Sequence, residues 1–145
     1  MVNSFVTAKI AIETYLETKS ADSGVKSCPA NTGDLLDDGA GGLVPAFEQN
    51  GEFLVYAVEQ DSMRPIVVGN TAKRIYGSIT LNLISPNGQG GAGEARLTDF
   101  INLNLVSTVI ENIRTRSART LGEYDLDGWN AKIVQVSFEL NVSSN

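Results

Sequence analysis

The sequence predicts an α+β fold: a mainly antiparallel sheet of about four strands, with two helices packed on one face, in the order α-β-β-β-α-β. Three observations carry this expectation. Apolar residues recur at helical spacing near the N-terminus and again after residue 94. Strict alternation marks residues 73–84 and 132–142. Strands cluster between the two helical stretches instead of alternating with them, the pattern of segregated layers rather than of a parallel βαβ sheet.

The first helix is expected from Asn3 or Ser4, either of which can cap it, to about Glu17. Phe5, Ala8, Ile12, Tyr15 and Leu16 form its buried stripe. Residues 18–51 hold Gly24, Gly33, Gly39, Gly41, Gly42, Gly51, Pro29 and Pro45, and read as a long loop with a short turn at Leu35–Leu36 and an extended piece at Leu43–Phe47. A loop of that length in a compact domain usually serves binding or assembly. Glu52–Glu59, Arg64–Val68 and Lys73–Ile84 read as three strands of a meander, joined by hairpin-length connectors at Gln60–Met63 and Gly69–Ala72. In the third, Ile75, Ile79, Leu81 and Leu83 face one way, and Arg74, Tyr76, Ser78, Thr80 and Asn82 the other. Ser85–Gly93 is a second Gly-rich loop. Glu94 to about Ile113 reads as the second helix, with Arg114 and Arg116 near its C-terminal end, where the dipole favours cations. Ser117–Asn130 reads as a loop, and Lys132–Val142 as the closing strand.

The chain of 145 residues is sized for one domain spanning 1–145. It contains no His, which removes Ser-His-Asp and Cys-His nucleophile arrangements and every His-ligated metal or haem site. Cys28 is the only cysteine, so it forms no internal disulfide and no thiolate cluster. No apolar run approaches a membrane span, and the N-terminus lacks the basic region of a signal peptide, so a reducing cytoplasm is the expected site of synthesis.

The formal charge is −6, which argues against a general nucleic-acid binder. It is unevenly spread. Residues 1–61 carry 3 basic and 10 acidic side chains, net −7; residues 62–145 carry 8 and 7, net +1. Two solvated faces is the plain reading. Complementary faces that dock copies head-to-tail is the sharper one. The candidate subunit or partner interface is Asp34, Asp37, Asp38, Arg74, Tyr76, Arg114, Arg116 and Arg119.

Other constellations fail on detail. Gly93 is followed by Glu94, not by the Lys-Ser/Thr of a phosphate loop. Asp34, Asp37 and Asp38 lack the alternating spacing of an EF-hand. Cys28 has no His to activate it and reads as passive. Trp129 reads as a core anchor or an interface hot spot. Thus no catalytic, cofactor or metal residues are expected.

The segments RIYGSITLNLISPNGQGGAGEARLTDFI (74–101) and GWNAKIVQVSFEL (128–140), in this order after an N-terminal helix, resemble the tail terminator proteins of long-tailed bacteriophages. The resemblance covers most of residues 1–142 and is weakest at 18–51. It implies a structural virion protein at the head-proximal end of the tail. Such a protein forms a homohexameric ring that stops tube growth and docks the head connector, without catalysis or cofactor. The implied partners are further copies of the chain, the tail tube protein and the head completion protein. Viral DNA passes through the ring without specific binding, and no membrane is involved. A lumen lined by the N-terminal acids would let DNA pass by like-charge repulsion. Two further readings stay open: another neck adaptor or tail-tube subunit, and a small cytoplasmic enzyme or ligand-binding domain.

Overall fold

The computed structural model describes residues 2–30, 35–37, 43–45, 51–66, 72–88, 91–126 and 128–143. The elements in chain order are α1 (Phe5–Ser23), β1 (Ser27–Pro29), β2 (Leu35–Asp37), β3 (Leu43–Pro45), β4 (Phe53–Pro65), β5 (Ala72–Pro86), α2 (Ala92–Asn104), β6 (Val109–Ile110), β7 (Ile113–Leu126) and β8 (Trp129–Ser143). The main sheet has six strands in the order β1-β4-β5-β8-β7-β6, and β2 and β3 form a separate antiparallel pair. All neighbours in the main sheet are antiparallel except β1, which lies parallel to β4. The expected four-stranded, mainly antiparallel α-β-β-β-α-β arrangement is therefore corrected. The sheet is mixed, six-stranded and curled as a half-barrel.

α1 starts as its sequence requires. Ser4 is the N-cap; its Oγ accepts from the Thr7 amide, and the Thr7 hydroxyl oxygen accepts in return from the Ser4 amide. The helix runs six residues past Glu17 and stops at Gly24, which takes φ 73°. That left-handed geometry costs a glycine little. Ala8, Ile12 and Leu16 are fully buried.

The differences from the sequence expectation have a common cause. Gln60–Met63 is no hairpin. It is the polar half of one strand, β4, with a bulge between Gln60 and Ser62. Ser117–Asn130 is mostly strand, because β7 pairs with β8 along its length, bulging near Ser117 and Leu121. Both stretches are largely exposed. A strand solvated on both faces loses the alternation that identifies strands in sequence. The loop expected over 18–51 contains the end of α1, β1 and the β2–β3 pair. The 85–93 loop shrinks, because β5 runs to Pro86 and α2 starts at Ala92.

α2 ends at Asn104, nine residues before the expected Ile113. Two features stop it. Ser107 takes φ 49°, outside helical space. Thr115, buried on β7, donates its hydroxyl to the Leu105 carbonyl and accepts from the Thr108 amide at 2.8 Å. Leu105 remains fully buried, so the apolar spacing that suggested a longer helix is used for core packing beyond it.

Ile75, Ile79, Leu81 and Leu83 of β5 join Leu54, Tyr56 and Val58 of β4 and Val134, Val136, Phe138 and Leu140 of β8. Both helices pack on this face through Ile12, Leu16, Leu97 and Ile101. Tyr15 ties the helices together, donating to the Asn104 carbonyl at 2.7 Å. A smaller core of Cys28, Phe53, Val55, Ile84 and Ala131 lies on the opposite face at one end, with Trp129 against it. The Trp129 and Phe53 rings meet edge-to-face at 5.8 Å.

Tyr56 sits in the main core, 3% exposed. Burial pushes its phenol up to about 12, and Glu13, Glu17 and Cys28 push the same way. A folded-state value above the ordinary 10.0 means that the unfolded chain loses this proton first. The stabilisation is complete below pH 10 and disappears as pH rises toward about 12. Chemical denaturation at stepped pH should show stability falling across that window at up to roughly 1.4 kcal/mol per pH unit from this group. Tyr15 is raised by burial too, so Tyr56→Phe should flatten the fall without removing it. A Tyr56→Phe profile as steep as the parent's would overturn the assignment.

Candidate assembly surface

Register fixes which side chains share the face that neither helix covers. At the Pro65 end, Arg64 lies opposite Arg74 across β4 and β5, and Arg74 lies opposite Asn141 on β8. The next row is Ser62, Tyr76, Glu139 and Arg114. Toward the middle follow Glu59, Ser78 and Ser137, then Ala57, Thr80, Gln135 and Arg119. At the Phe53 end the rows become apolar, ending with Phe53, Ile84, Ala131 and Tyr124. The face thus grades from basic through neutral polar to apolar.

The polar groups hold one another in place. Arg74 Nε donates to Asn141 Oδ1 at 2.9 Å, and Arg119 Nη2 to Gln135 Oε1 at 3.0 Å. Arg116 Nη2 contacts Glu139 Oε1 at 2.5 Å. The Arg64 guanidinium lies 5.7 Å from the centre of the Tyr76 ring, a cation–π contact. Ser78 donates to Asp61. Beside the Arg64–Arg74 row, an open groove of about 540 Å³ is lined by Arg74, Arg114, Glu139 and Asn141 on the strands and by Glu111 and Asn112 in the β6–β7 turn. Asn112 also clamps the N-terminus, accepting from the Val2 amide at 3.0 Å and donating to its carbonyl at 2.9 Å.

Five of the eight candidate interface residues, Arg74, Tyr76, Arg114, Arg116 and Arg119, therefore lie on one sheet face. Sequence alternation placed Arg74 and Tyr76 there. It did not place Arg114 and Arg116, which belong to β7 and not to a helix end; the β7–β8 register brings them in. Arg64, which the sequence assigns to a separate strand, joins this face because β4 runs on to Pro65. Asp34 and Asp38 lie outside the described residues, and Asp37 belongs to β2. Among the described residues, no group of three or more Cys, Asp and Glu side chains converges as a metal site would require. Among the described residues, no helix is long and apolar enough to cross a membrane.

The sheet margins are the second feature. β1 covers only Leu54–Tyr56 of β4. β6 pairs only with Ile113 and Arg114 of β7, and backbone bonds from the preceding loop reach no further than Arg116. Among the described residues, Ala57–Pro65 and Ser117–Leu126 thus have a strand partner on one side only. Unpaired strand margins are templates for another chain. Because β4, β5, β8 and β7 alternate in direction, the two margins run antiparallel to each other.

No family model matches the chain, and no curated protein matches it. Solved structures do. One, a protein that carries no functional name, superposes with a TM-score of 0.59 at 14% identity, over 97% of this chain and 96% of its own. At that identity the likeness concerns the fold alone.

Proposed function

We propose that this chain is a structural, non-catalytic subunit of a bacteriophage tail that acts as tail terminators do. Copies join head-to-tail into a ring, the ring ends growth of the tail tube, and its outer surface receives the head connector in the virion. The observation that carries the reading is the pair of half-open strand margins with opposite direction. A neighbour related by rotation about an axis roughly along the strands presents its β4 margin, antiparallel, to the β7 margin. Repeated, such a heterologous contact closes a ring or winds a filament. The open halves sit at opposite ends of the sheet, so neighbours must be staggered along the strands, as tilted strands in a closed barrel are.

Bulges interrupt both margins. Bulged, charged margins resist uncontrolled pairing. That favours a subunit that stays apart until a tube end recruits it. A neck adaptor or tube subunit would share these margins, so the product of assembly separates the readings. Purified protein mixed with tail tubes should give one closed ring at one tube end under negative stain. Long stacks point to a tube subunit, and a monomer indifferent to tubes ends the proposal. Met63 and Leu121, 45% and 47% exposed on the two margins, supply a variant. Met63→Lys with Leu121→Lys should leave stability within about 1 kcal/mol of the parent and abolish ring formation.

A further inference from the structure

We propose that the arginine-bearing end of the helix-free sheet face binds the phosphate backbone of duplex DNA. The chain is acidic overall, yet this face carries Arg64, Arg74, Arg114, Arg116 and Arg119 against four carboxylates among the described residues: Glu59, Asp61 and Glu139 on the strands, and Glu111 at the rim of the groove beside Arg74 and Arg114. Two of those carboxylates are engaged: Asp61 accepts from Ser78, and Glu139 holds Arg116. Arg64 and Arg74 stand directly across from each other, an arrangement that repels within the sheet. An anion bridging them relieves that repulsion. Among the described residues neither forms an ion pair: Arg74 bonds a neutral amide through Nε, and Arg64 lies over an aromatic ring.

Geometry favours a duplex. From Arg64 on β4 to Arg114 on β7 is three strand steps, about 14 Å. That width suits phosphates on both sides of a groove about 12 Å across. The guanidinium fork matches phosphate oxygens. Tyr76, the aromatic side chain between them, is covered by Arg64 and offers no free platform for an unstacked base. Contacts of this kind carry no sequence preference. The face is complete in one subunit, so the inference does not depend on ring closure. In a ring with its helices outward, the same face lines the passage, with a sign opposite to the acidic lumen expected from the sequence.

The test is fluorescence anisotropy of a short labelled duplex titrated with full-length protein. With about four phosphates engaged, affinity should fall about 100-fold between 50 and 200 mM salt. Arg74→Ala with Arg114→Ala should weaken binding at least about tenfold at the lower salt and reduce the salt slope by about 2. Arg96→Ala, a helix cation paired with Glu52, should change neither. Thermal melts establish that each variant is folded. Three results overturn the inference: no binding by folded protein at the lower salt, binding indifferent to Arg74 and Arg114, or a clear preference for poly-glutamate over the duplex. The last would assign the patch to an acidic protein partner.

Discussion

Gly77→Ala should be among the most damaging single substitutions in this protein, destabilising it by about 3 kcal/mol or more. Gly77 lies on β5 opposite Phe138 of β8, on the helix-bearing face. Phe138, itself 1% exposed, lays its ring over the glycine. A Cβ at residue 77 would stand 2.2 Å from Phe138 Cζ and 2.6 Å from the Glu59 carbonyl oxygen. The ring has no room to retreat in a close-packed core, and the second obstacle is backbone. Urea denaturation should show the loss as a lower midpoint with an unchanged slope. Adding Phe138→Leu should recover part of it, because the two side chains compete for one space. A Gly77→Ala protein with the parent's midpoint would show that β5 and β8 do not pair in this register.

Phe53→Ala should cost about 3–5 kcal/mol, although it lies outside the main core. Phe53 is fully buried on the face opposite the helices, among Val55, Ile84 and Ala131, with the Trp129 ring edge-on against it. Removing it leaves a void under Trp129. The loss should therefore appear together with a red shift and quenching of the fluorescence of Trp129, the chain's only tryptophan. Phe53→Leu should recover much of the stability, since the site asks for apolar volume first. A loss below about 1 kcal/mol for Phe53→Ala would mean that the second core is not closed. Both substitutions take a large share of the 5–15 kcal/mol that holds a typical domain together.

The arginine surface shows why sequence reading reached only part of the candidate site. Arg74 and Tyr76 sit in a strand buried on one face, so the side chains between them and their buried neighbours report the pleat. Arg114 and Arg116 follow apolar residues at near-helical spacing, so they read as the basic end of a helix. The spacing is real, since Leu97, Ile101 and Leu105 all reach the core. The helix nevertheless stops at Asn104, because a threonine ten residues beyond Leu105 captures its carbonyl. A hydrogen bond closed by the tertiary fold cannot be read from local periodicity.

What the sequence determines by itself is what local rules encode: the capped start of α1, its buried stripe, and the two-faced character of β5 and β8. Each depends on neighbours within a few residues and on a single burial direction. It also fixes the absence of histidine and the uneven charge. Only the tertiary structure decides that the sheet has six strands, that Gln60–Met63 and Ser117–Leu126 are extended, and that arginines from three strands share one surface. Those segments are largely exposed, so no pattern of apolar residues marks them as strands. Their conformation comes from backbone pairing with β5 and β8, and backbone pairing is common to every residue type except proline.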